Sequence, residues 1–235
     1  MLYAVVSSCD STPFVDKDFE VNGVKFRMIA VEGGSYMMGA TPGQGDAARE
    51  NEKPAHKVTV DDFLIGETEV TQELWFAVMG NNPSSNQSDQ GYYPVENVSW
   101  NDVQEFIKKL NEITGQQFRL PFEAEWEYAA RGGKKSTDKK YSGSDNEEEV
   151  AWYNDNAGEK THAVAKKRSN ELGLYDMSGN VWEFCELSSD IEVCNIRGGS
   201  FGNNSQYLRS SSRYRLQTNV KTIFCGFRLY LNGVN

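Results

Sequence analysis

Histidine and cysteine are scarce in this chain, with two of the first and four of the second among 235 residues. The cysteines, Cys9, Cys185, Cys194 and Cys225, show no CxxC or CxxH spacing, which excludes the usual pattern of a structural zinc site. A glycine-rich phosphate loop, a Ser-His-Asp grouping and a conspicuous carboxylate pair are also missing, so nucleophilic catalysis has no visible candidate. Cys185 and Cys194 flank a short segment, and the sequence leaves open whether they form a disulfide or stay buried thiols.

Long apolar runs are missing too. No run approaches the roughly 20 residues that a helix needs to span a bilayer, and a composition of 38% hydrophobic and 12% aromatic residues is typical of a water-soluble globular protein. Residues 2–9 begin with apolar residues, continue with small ones and end at Cys9, a pattern that resembles the end of a bacterial lipoprotein signal. The basic region that precedes such a pattern in a lipoprotein signal is missing. A lipid anchor is therefore an open expectation. We predict a tether over residues 1–18 and a single domain over residues 19–235.

The charge distribution separates the last part of the chain from the rest. A net charge of −10 argues against nucleic-acid binding, which requires Lys and Arg to neutralise phosphates. After residue 196 there is no acidic residue, and the basic residues there are Arg197, Arg209, Arg213, Arg215, Lys221 and Arg228. Each arginine is a candidate either for an internal brace or for the surface, and Arg213 and Arg228 are the leading candidates for braces.

Apolar and charged residues alternate in several short stretches, which predicts strands. Residues 24–31 and 35–39 are predicted to pair as a hairpin around Gly33-Gly34, and residues 56–64 are predicted to form another strand. From residue 151 onward the pattern is of short strands and many glycines, without a helix signal.

Capping residues predict three helices in the first half of the chain. Their predicted limits are Thr71 to Gly80, Ser99 to Gly115, and Pro121 to Gly132. Helices in the first half and strands in the second indicate one α+β domain.

An ordered series of short phrases runs from residue 33 to residue 228. The phrases are GGSYMMG (33–39), EKPAHKV (52–58), EVTQ (69–72), PVENVSW (94–100), RLPFEAEWE (119–127), GLYDMSGNVWE (173–183), RGGSF (197–201) and GFR (226–228). Together they resemble the sulfatase-modifying-factor family, whose best-known members are formylglycine-generating enzymes. The resemblance implies the loop-rich, C-type-lectin-like fold of that family.

The resemblance also shows where a copper site would lie. In the enzymes, two cysteines five residues apart, shortly after the Arg-Gly-Gly-Ser phrase, bind copper and oxidise a substrate cysteine to formylglycine. The corresponding positions here hold Asn203 and Leu208. Neither can act as a thiolate or as a soft Cu(I) ligand. We therefore expect no copper and no catalysis.

A structural calcium ion is the one cofactor that the resemblance implies. In the family it is held by side-chain oxygens at the positions of Asp176 and Glu183 and by carbonyls at the positions of Gly179 and Val181. Hard oxygen ligands of this kind are those that Ca²⁺ prefers. The alternative is that the two carboxylates only accept hydrogen bonds from the backbone.

Residues 201–224 depart most from an enzyme, because Asn, Ser, Tyr and Arg dominate them. Tyr, Ser and Asn are the residues of antibody paratopes, and Arg captures carboxylates or phosphates. The segment resembles the variable region in ligand-binding proteins of diversity-generating retroelements. This resemblance implies a ligand-binding region over residues 197–228. The candidate contact residues are Phe201, Asn203, Asn204, Gln206, Tyr207, Arg209, Ser210, Ser212, Tyr214, Gln217 and Asn219.

The sequence thus predicts a non-catalytic ligand-binding protein, outside a cell or virion, whose partner is a protein on another cell or virion surface. Two alternatives stay open. One is a formylglycine-generating or related oxidase with an unrecognised site, and the other is a structural component of a surface machine.

Overall fold

The computed structural model of the chain describes residues 14–87, 91–187 and 192–233. The strands in these ranges are β1 (Lys17–Val21), β2 (Val24–Val31), β3 (Gly34–Met38), β4 (His56–Val60), β5 (Phe63–Gly66), β6 (Trp182–Phe184), β7 (Val193–Arg197), β8 (Arg213–Gln217), β9 (Cys225–Gly226) and β10 (Tyr230–Asn232). The helices are α1 (Gln72–Met79), α2 (Trp100–Thr114), α3 (Glu123–Ala130) and the single turn α4 (Glu147–Val150). Helices between two sets of strands confirm the predicted α+β class.

The described strands form three sheets. The first has the antiparallel order β1-β2-β5-β10, so strands from the two ends of the described chain lie on its opposite edges. The second consists of β3 and β4. The third has the order β8-β7-β6-β9, in which β6 and β9 are parallel. Because β8 belongs to residues 201–224, part of the candidate binding segment forms an edge of the third sheet.

Capping side chains set the ends of the helices as the sequence predicts. Thr71 Oγ1 accepts a hydrogen bond of 3.3 Å from the N–H of Leu74, and Gly80 ends α1 with a left-handed φ of 76°. Ser99 and Asp102 form a reciprocal capping box at the start of α2. Within the three described ranges, no helix is long and apolar enough to cross a membrane.

The centre of the first sheet, β5 and the second half of β2, is buried on both faces. Met28 and Leu64 belong to the main core, which α1, α2 and the third sheet also build. Their neighbours Ile29 and Ile65 face the opposite way, into a second core against Trp126 of α3. Burial on both faces explains why β5 is a continuous apolar run rather than an alternating one.

The predicted hairpin between residues 24–31 and 35–39 is wrong. β2 pairs instead with β1 across Asn22-Gly23, whose φ angles of 49° and 87° suit the two-residue turn that Asn-Gly favours. β1 begins at Lys17, so the fold starts slightly before the predicted end of the tether. Residues 1–13, with the expected lipid-attachment end, lie outside the described residues.

The predicted strand over residues 56–64 is two strands that belong to different sheets. The chain turns at Asp61-Asp62, where the Asp62 carboxylate accepts a hydrogen bond of 2.7 Å from the N–H of Gly33. β4 then pairs with β3, whereas β5 pairs with β2. The two adjacent carboxylates mark the point at which the chain leaves one sheet for the other.

Candidate ligand-binding surface

Arg197, at the end of β7, holds part of the candidate segment from inside the protein. It is fully buried and donates to the carbonyls of Ser210 and Ser212, at 3.4 and 2.7 Å. Its charge is paired with Glu127 on α3. These contacts fix the backbone of residues 210–212 against the interior.

Arg209 is a second internal anchor. Its guanidinium is fully buried and binds both oxygens of Glu52, each at 2.6 Å. Its Nε donates to the carbonyl of Gln206 at 3.0 Å, and Ser211 donates to Glu52 at 2.6 Å. Burial alone would raise the pKa of Glu52, but the hydrogen bonds from Arg209 and Ser211 outweigh burial and hold that pKa below its usual value. Glu52 is therefore charged at neutral pH, and the pair ties this part of the segment to a distant loop.

Several predicted contact residues are buried and do not face a ligand, so that part of the prediction is wrong. The buried residues are Phe201, Arg209, Ser210 and Ser212. Arg209 is turned inward by its pairing with Glu52, and Ser210 and Ser212 belong to the backbone stretch that Arg197 holds against the interior through their carbonyls. Phe201 packs against Phe224, with ring centroids 5.0 Å apart.

The arginine braces differ in part from those expected. Arg228 is fully buried, as predicted. Arg213 is only half-buried and pairs with Glu123. Arg197 and Arg209 are fully buried, although the sequence did not single them out. The sequence around Arg209 does not indicate its ion-pair partner, because Glu52 lies far upstream.

The remaining predicted contact residues are exposed or half-buried in two groups, which together form the candidate binding face. They are Asn203, Asn204, Gln206 and Tyr207 around a short 3₁₀ turn (Ser205–Tyr207), and Tyr214, Gln217 and Asn219 along and after β8. Trp182 on β6 joins the two groups, since its ring centroid lies 6.0 Å from that of Tyr207 and 6.3 Å from that of Tyr214. The binding face therefore has an aromatic centre with amide side chains around it.

Other residues beyond the predicted contact set are exposed in the segment or approach it. Ile223 and Phe224, at the end of residues 201–224, are 38% and 39% exposed. The guanidinium of Arg49 lies 3.9 Å from the ring centroid of Tyr207, and the N–H of Asn154 donates to the carbonyl of Asn203 at 3.1 Å. Arg49 and Asn154 come from loops distant in sequence, and their approach to the segment is a property of the tertiary fold.

Asn203 and Leu208, at the positions of the family's copper-binding cysteines, both make structural contacts. The Asn203 carboxamide oxygen accepts hydrogen bonds from the N–H and the hydroxyl of Ser200, at 3.0 and 2.7 Å. Leu208 is fully buried in a small cluster with Tyr141 and Tyr153. Neither side chain offers a soft metal ligand.

The described cysteines, Cys185, Cys194 and Cys225, are buried free thiols. Cys185 packs in the second core and Cys194 in the main core, so they face opposite sides of the third sheet and do not form a disulfide. Burial raises the pKa of all three thiols, that of Cys194 to about 11. These thiols are therefore protonated at neutral pH and are poor nucleophiles and metal ligands.

The Glu183 carboxylate does not fit the expected calcium site. It accepts three hydrogen bonds of 2.7 to 2.9 Å from Arg228 and one of 2.6 Å from the indole N–H of Trp126. A carboxylate has about four lone-pair positions, so none is left for a cation. In the described parts of the chain, no group of three acidic, histidine or cysteine side chains is placed to hold a metal ion.

The other expected calcium ligands lie in a turn that hydrogen bonds close. Asp176 Oδ2 accepts from the N–H of Ala165 at 2.8 Å, while its Oδ1 has no partner among the described residues. Burial raises the pKa of Asp176 to about 6. The N–H of Gly179 donates to the Gly198 carbonyl, and the N–H of Val181 donates to Glu69 at 3.2 Å. The turn is thus held by hydrogen bonds from N–H groups, and the group that disfavours a calcium ion is Glu183, whose lone pairs are already used.

Millimolar Ca²⁺, or its removal with EDTA, is therefore expected to shift the Tm of the purified chain by no more than about 1 °C, because only binding to the folded state raises stability. Thermal unfolding followed by Trp fluorescence measures this, with Mg²⁺ as the matched ionic control. A Ca²⁺-specific rise of several degrees that Asp176→Asn abolishes would show that the segment does bind calcium.

The fold and the ordered phrases define a class of protein, the C-type-lectin-like domains of the sulfatase-modifying-factor type. Residues 17–232 match the family described as sulfatase-modifying factor enzyme 1-like domain, and the chain belongs to that family.

Its relatives include proteins named as a variable protein, a chaperone and an enzyme. Treponema denticola variable protein 1 superposes with a TM-score of 0.84 and 34% identity, over 94% of this chain and 100% of that chain. The chaperone protein LppX of Paenibacillus barcinonensis is 36% identical over 208 residues, which cover 67% of this chain and 70% of that protein. A formylglycine-generating enzyme of Streptomyces coelicolor is 28% identical over 220 residues, 67% of each chain. The resemblances to formylglycine-generating enzymes and to variable proteins are thus both confirmed.

Proposed function

We propose that this chain is a non-catalytic ligand-binding protein whose contact surface is the candidate binding face. The observation that carries the proposal is that some residues of the 201–224 segment are buried in the protein interior while the others are accessible to solvent. Residues 208–212 are buried and tied by arginines to Glu52 and Glu127, whereas the residues on either side are exposed or half-buried and rich in Tyr, Asn and Gln. A fixed backbone that displays such side chains loses little conformational entropy when it binds.

A protein ligand suits this face better than a sugar or a nucleic acid. Tyr207 and Tyr214 supply broad, rigid contact area, and the neighbouring amides supply hydrogen bonds. Lectin-type sugar binding uses an exposed calcium ion, whereas Asp176 and Glu183 are buried. Most arginines of the last part of the chain are internal, so a phosphate backbone would find few cations. On this proposal the chain is displayed outside a cell or virion, where it meets its ligand.

Comparison of the gene across isolates tests the proposal. We expect substitutions to concentrate at the exposed or half-buried positions of the binding face, which are Asn203, Asn204, Gln206, Tyr207, Tyr214, Gln217 and Asn219. The buried positions Arg209, Ser210 and Ser212 are the internal control, because they share the segment but not its exposure. A reverse transcriptase gene and a near-copy of the 3′ end beside the locus are the expected source of such variation. Substitutions that are spread evenly along the gene would contradict the proposal.

The rival reading is a formylglycine-generating oxidase with an unrecognised site. We expect no aldehyde when the purified chain is incubated with copper and a cysteine-containing sulfatase peptide, because Asn203 and Leu208 supply no sulfur. Mass spectrometry of the peptide measures the product, and the Streptomyces coelicolor enzyme is the positive control. Aldehyde above the level of a protein-free reaction would overturn the non-catalytic proposal.

A second candidate function is a role in assembly, which the 36% identity to a protein named as a chaperone favours. A structural component of a surface machine has fixed partners, so its binding face does not tolerate change. The comparison of isolates separates the two candidates, because an assembly component would be as invariant at Tyr214 and Gln217 as at Arg209.

A further inference from the structure

No strand among the described residues pairs with the outer edge of β8. In the described sheet, β8 pairs with β7 on one side, and Asn195 of β7 lies opposite Arg215. The Asn195 carbonyl accepts a hydrogen bond of 3.0 Å from Cys185, on the opposite side of β7 from β8. Asn195 and Arg215 are therefore a pair that exchanges no hydrogen bonds, and the N–H and C=O of Arg215 point away from β7.

The same alternation turns the backbone groups of Arg213 and Gln217 outward. The side-chain amide of Asn51 donates to the Arg213 carbonyl at 3.4 Å, and the N–H of Val220 donates to the Gln217 carbonyl at 3.1 Å. The open groups of the edge are therefore the N–H and C=O of Arg215 and the N–H of Gln217. Outward N–H and C=O groups of this kind are a template for one more strand.

We propose that this edge accepts an extended segment of the protein ligand in which acidic and apolar residues alternate. The inference rests on the proposed function and specifies the partner. Main-chain hydrogen bonds to Arg215 and Gln217 would give the affinity, and the two faces of β8 would select the side chains.

One face of β8 selects acidic side chains. Arg213 and Arg215 share this face because they are two residues apart. Arg215 is exposed and has no ion pair within the described ranges, whereas Arg213 pairs with Glu123. A cleft of about 150 Å³ beside Arg213 is also lined by Lys53 and His56. The acids in that cleft, Glu52 and Glu127, already pair with buried arginines, so a carboxylate from a partner would meet positive charge.

The other face of β8 selects apolar side chains. Tyr214 and Leu216 lie on it, and Tyr214 is 51% exposed. Trp182 and Tyr207 complete an aromatic floor next to Tyr214. An apolar side chain at the matching position of the added strand would cover this floor.

Charge argues against a second copy of this chain as the occupant. Two β8 strands paired edge to edge would bring Arg213 and Arg215 of one copy near those of the other, and like charges across a strand pair are destabilising. The net charge of −10 does not prevent the approach of an acidic segment, because screening acts over about 8 Å at physiological ionic strength and the local arginines dominate.

A labelled peptide of alternating glutamate and valine is the probe, and fluorescence anisotropy measures its binding to the full chain. Gln217→Pro removes an outward N–H without removing a bond to β7, so we expect about tenfold weaker binding than that of Gln217→Ala, which loses the same side-chain amide but keeps the N–H. Arg215→Glu is also expected to weaken binding about tenfold. Lys108→Glu, an equal charge change at an exposed position of α2, is expected to leave binding unchanged.

Three results would overturn the inference: no binding to the wild-type chain, equal binding of a peptide with its glutamates and valines in separate blocks, or a concentration-dependent dimer that Gln217→Pro abolishes. If Gln217→Pro fails to fold, a peptide N-methylated at every second amide replaces it, and undiminished binding of that peptide also overturns the inference. Failure of the peptide together with clustered variation among isolates would reject the strand addition and leave the proposed function standing.

Discussion

Replacement of Arg209 by methionine is expected to lower the free energy of unfolding by about 3–5 kcal/mol, the usual effect of removing one partner of a buried ion pair. The substitution would leave Glu52 buried without its cation, and it would release the carbonyl of Gln206. Urea denaturation followed by tryptophan fluorescence measures the change. Arg215→Met is the matched control, because Arg215 is exposed and a surface substitution changes stability by about 0.5 kcal/mol or less.

A double variant separates loss of the charge pair from loss of packing. Glu52→Leu combined with Arg209→Met removes both charges, and we expect it to be more stable than Arg209→Met alone, because no buried carboxylate is left unpaired. If Arg209→Met alone costs less than about 1 kcal/mol, the pair does not hold residues 208–212 in place as we infer.

Replacement of Arg228 by methionine is expected to have an effect of at least the same size, about 3–5 kcal/mol. Arg228 binds both oxygens of Glu183 and donates to the carbonyls of Gly66 and Tyr175, at 3.0 and 2.8 Å. Glu69 lies close by, and its burial raises its pKa well above the usual value, with the negative charge of Asp176 adding to the effect. Loss of Arg228 therefore removes a cation from a group of buried carboxylates. Yield of folded protein and Tm are the measurements.

Arg119→Met is the control for this second prediction. Arg119 also forms a two-point ion pair, with Glu125, but the side chains keep 18% and 13% of their exposure. Water can reach this pair, so we expect a loss of about 1 kcal/mol. Equal effects of Arg119→Met and Arg228→Met would mean that burial of the Arg228 pair adds nothing to its importance.

Local chemistry made the helices predictable. Thr71 and Ser99 each satisfy N–H groups at the start of a helix, and that requirement is visible in a few adjacent residues. The pairing of the strands was harder to predict from the sequence. The Asn-Gly signal for a hairpin is present at residues 22–23, but Gly33-Gly34 between two apolar stretches also predicts a turn, and only the structure shows which turn joins two paired strands.

The candidate site was only partly predictable because burial depends on distant partners. Tyr214 and Arg209 both lie in a polar segment, yet one is exposed and the other is fully buried. The difference comes from Glu52, which the fold brings to Arg209 from a loop far upstream. Arg49 approaches Tyr207 in the same way. Amino-acid composition therefore located the candidate binding segment. It could not show which of its residues are buried anchors and which are exposed to a ligand.

The order of elements along the chain has a consequence for protein synthesis. β10 completes the first sheet by pairing with β5, and Arg228 neutralises Glu183, yet both follow residues 201–224 in the sequence. A premature stop or a frameshift within those residues yields a product that lacks both. Such a product has a strand at β5 without its β10 partner and a buried carboxylate at Glu183 without its cation, and we expect proteases to degrade it. The binding face would then be displayed only on polypeptides that are translated in frame through Arg228 and β10.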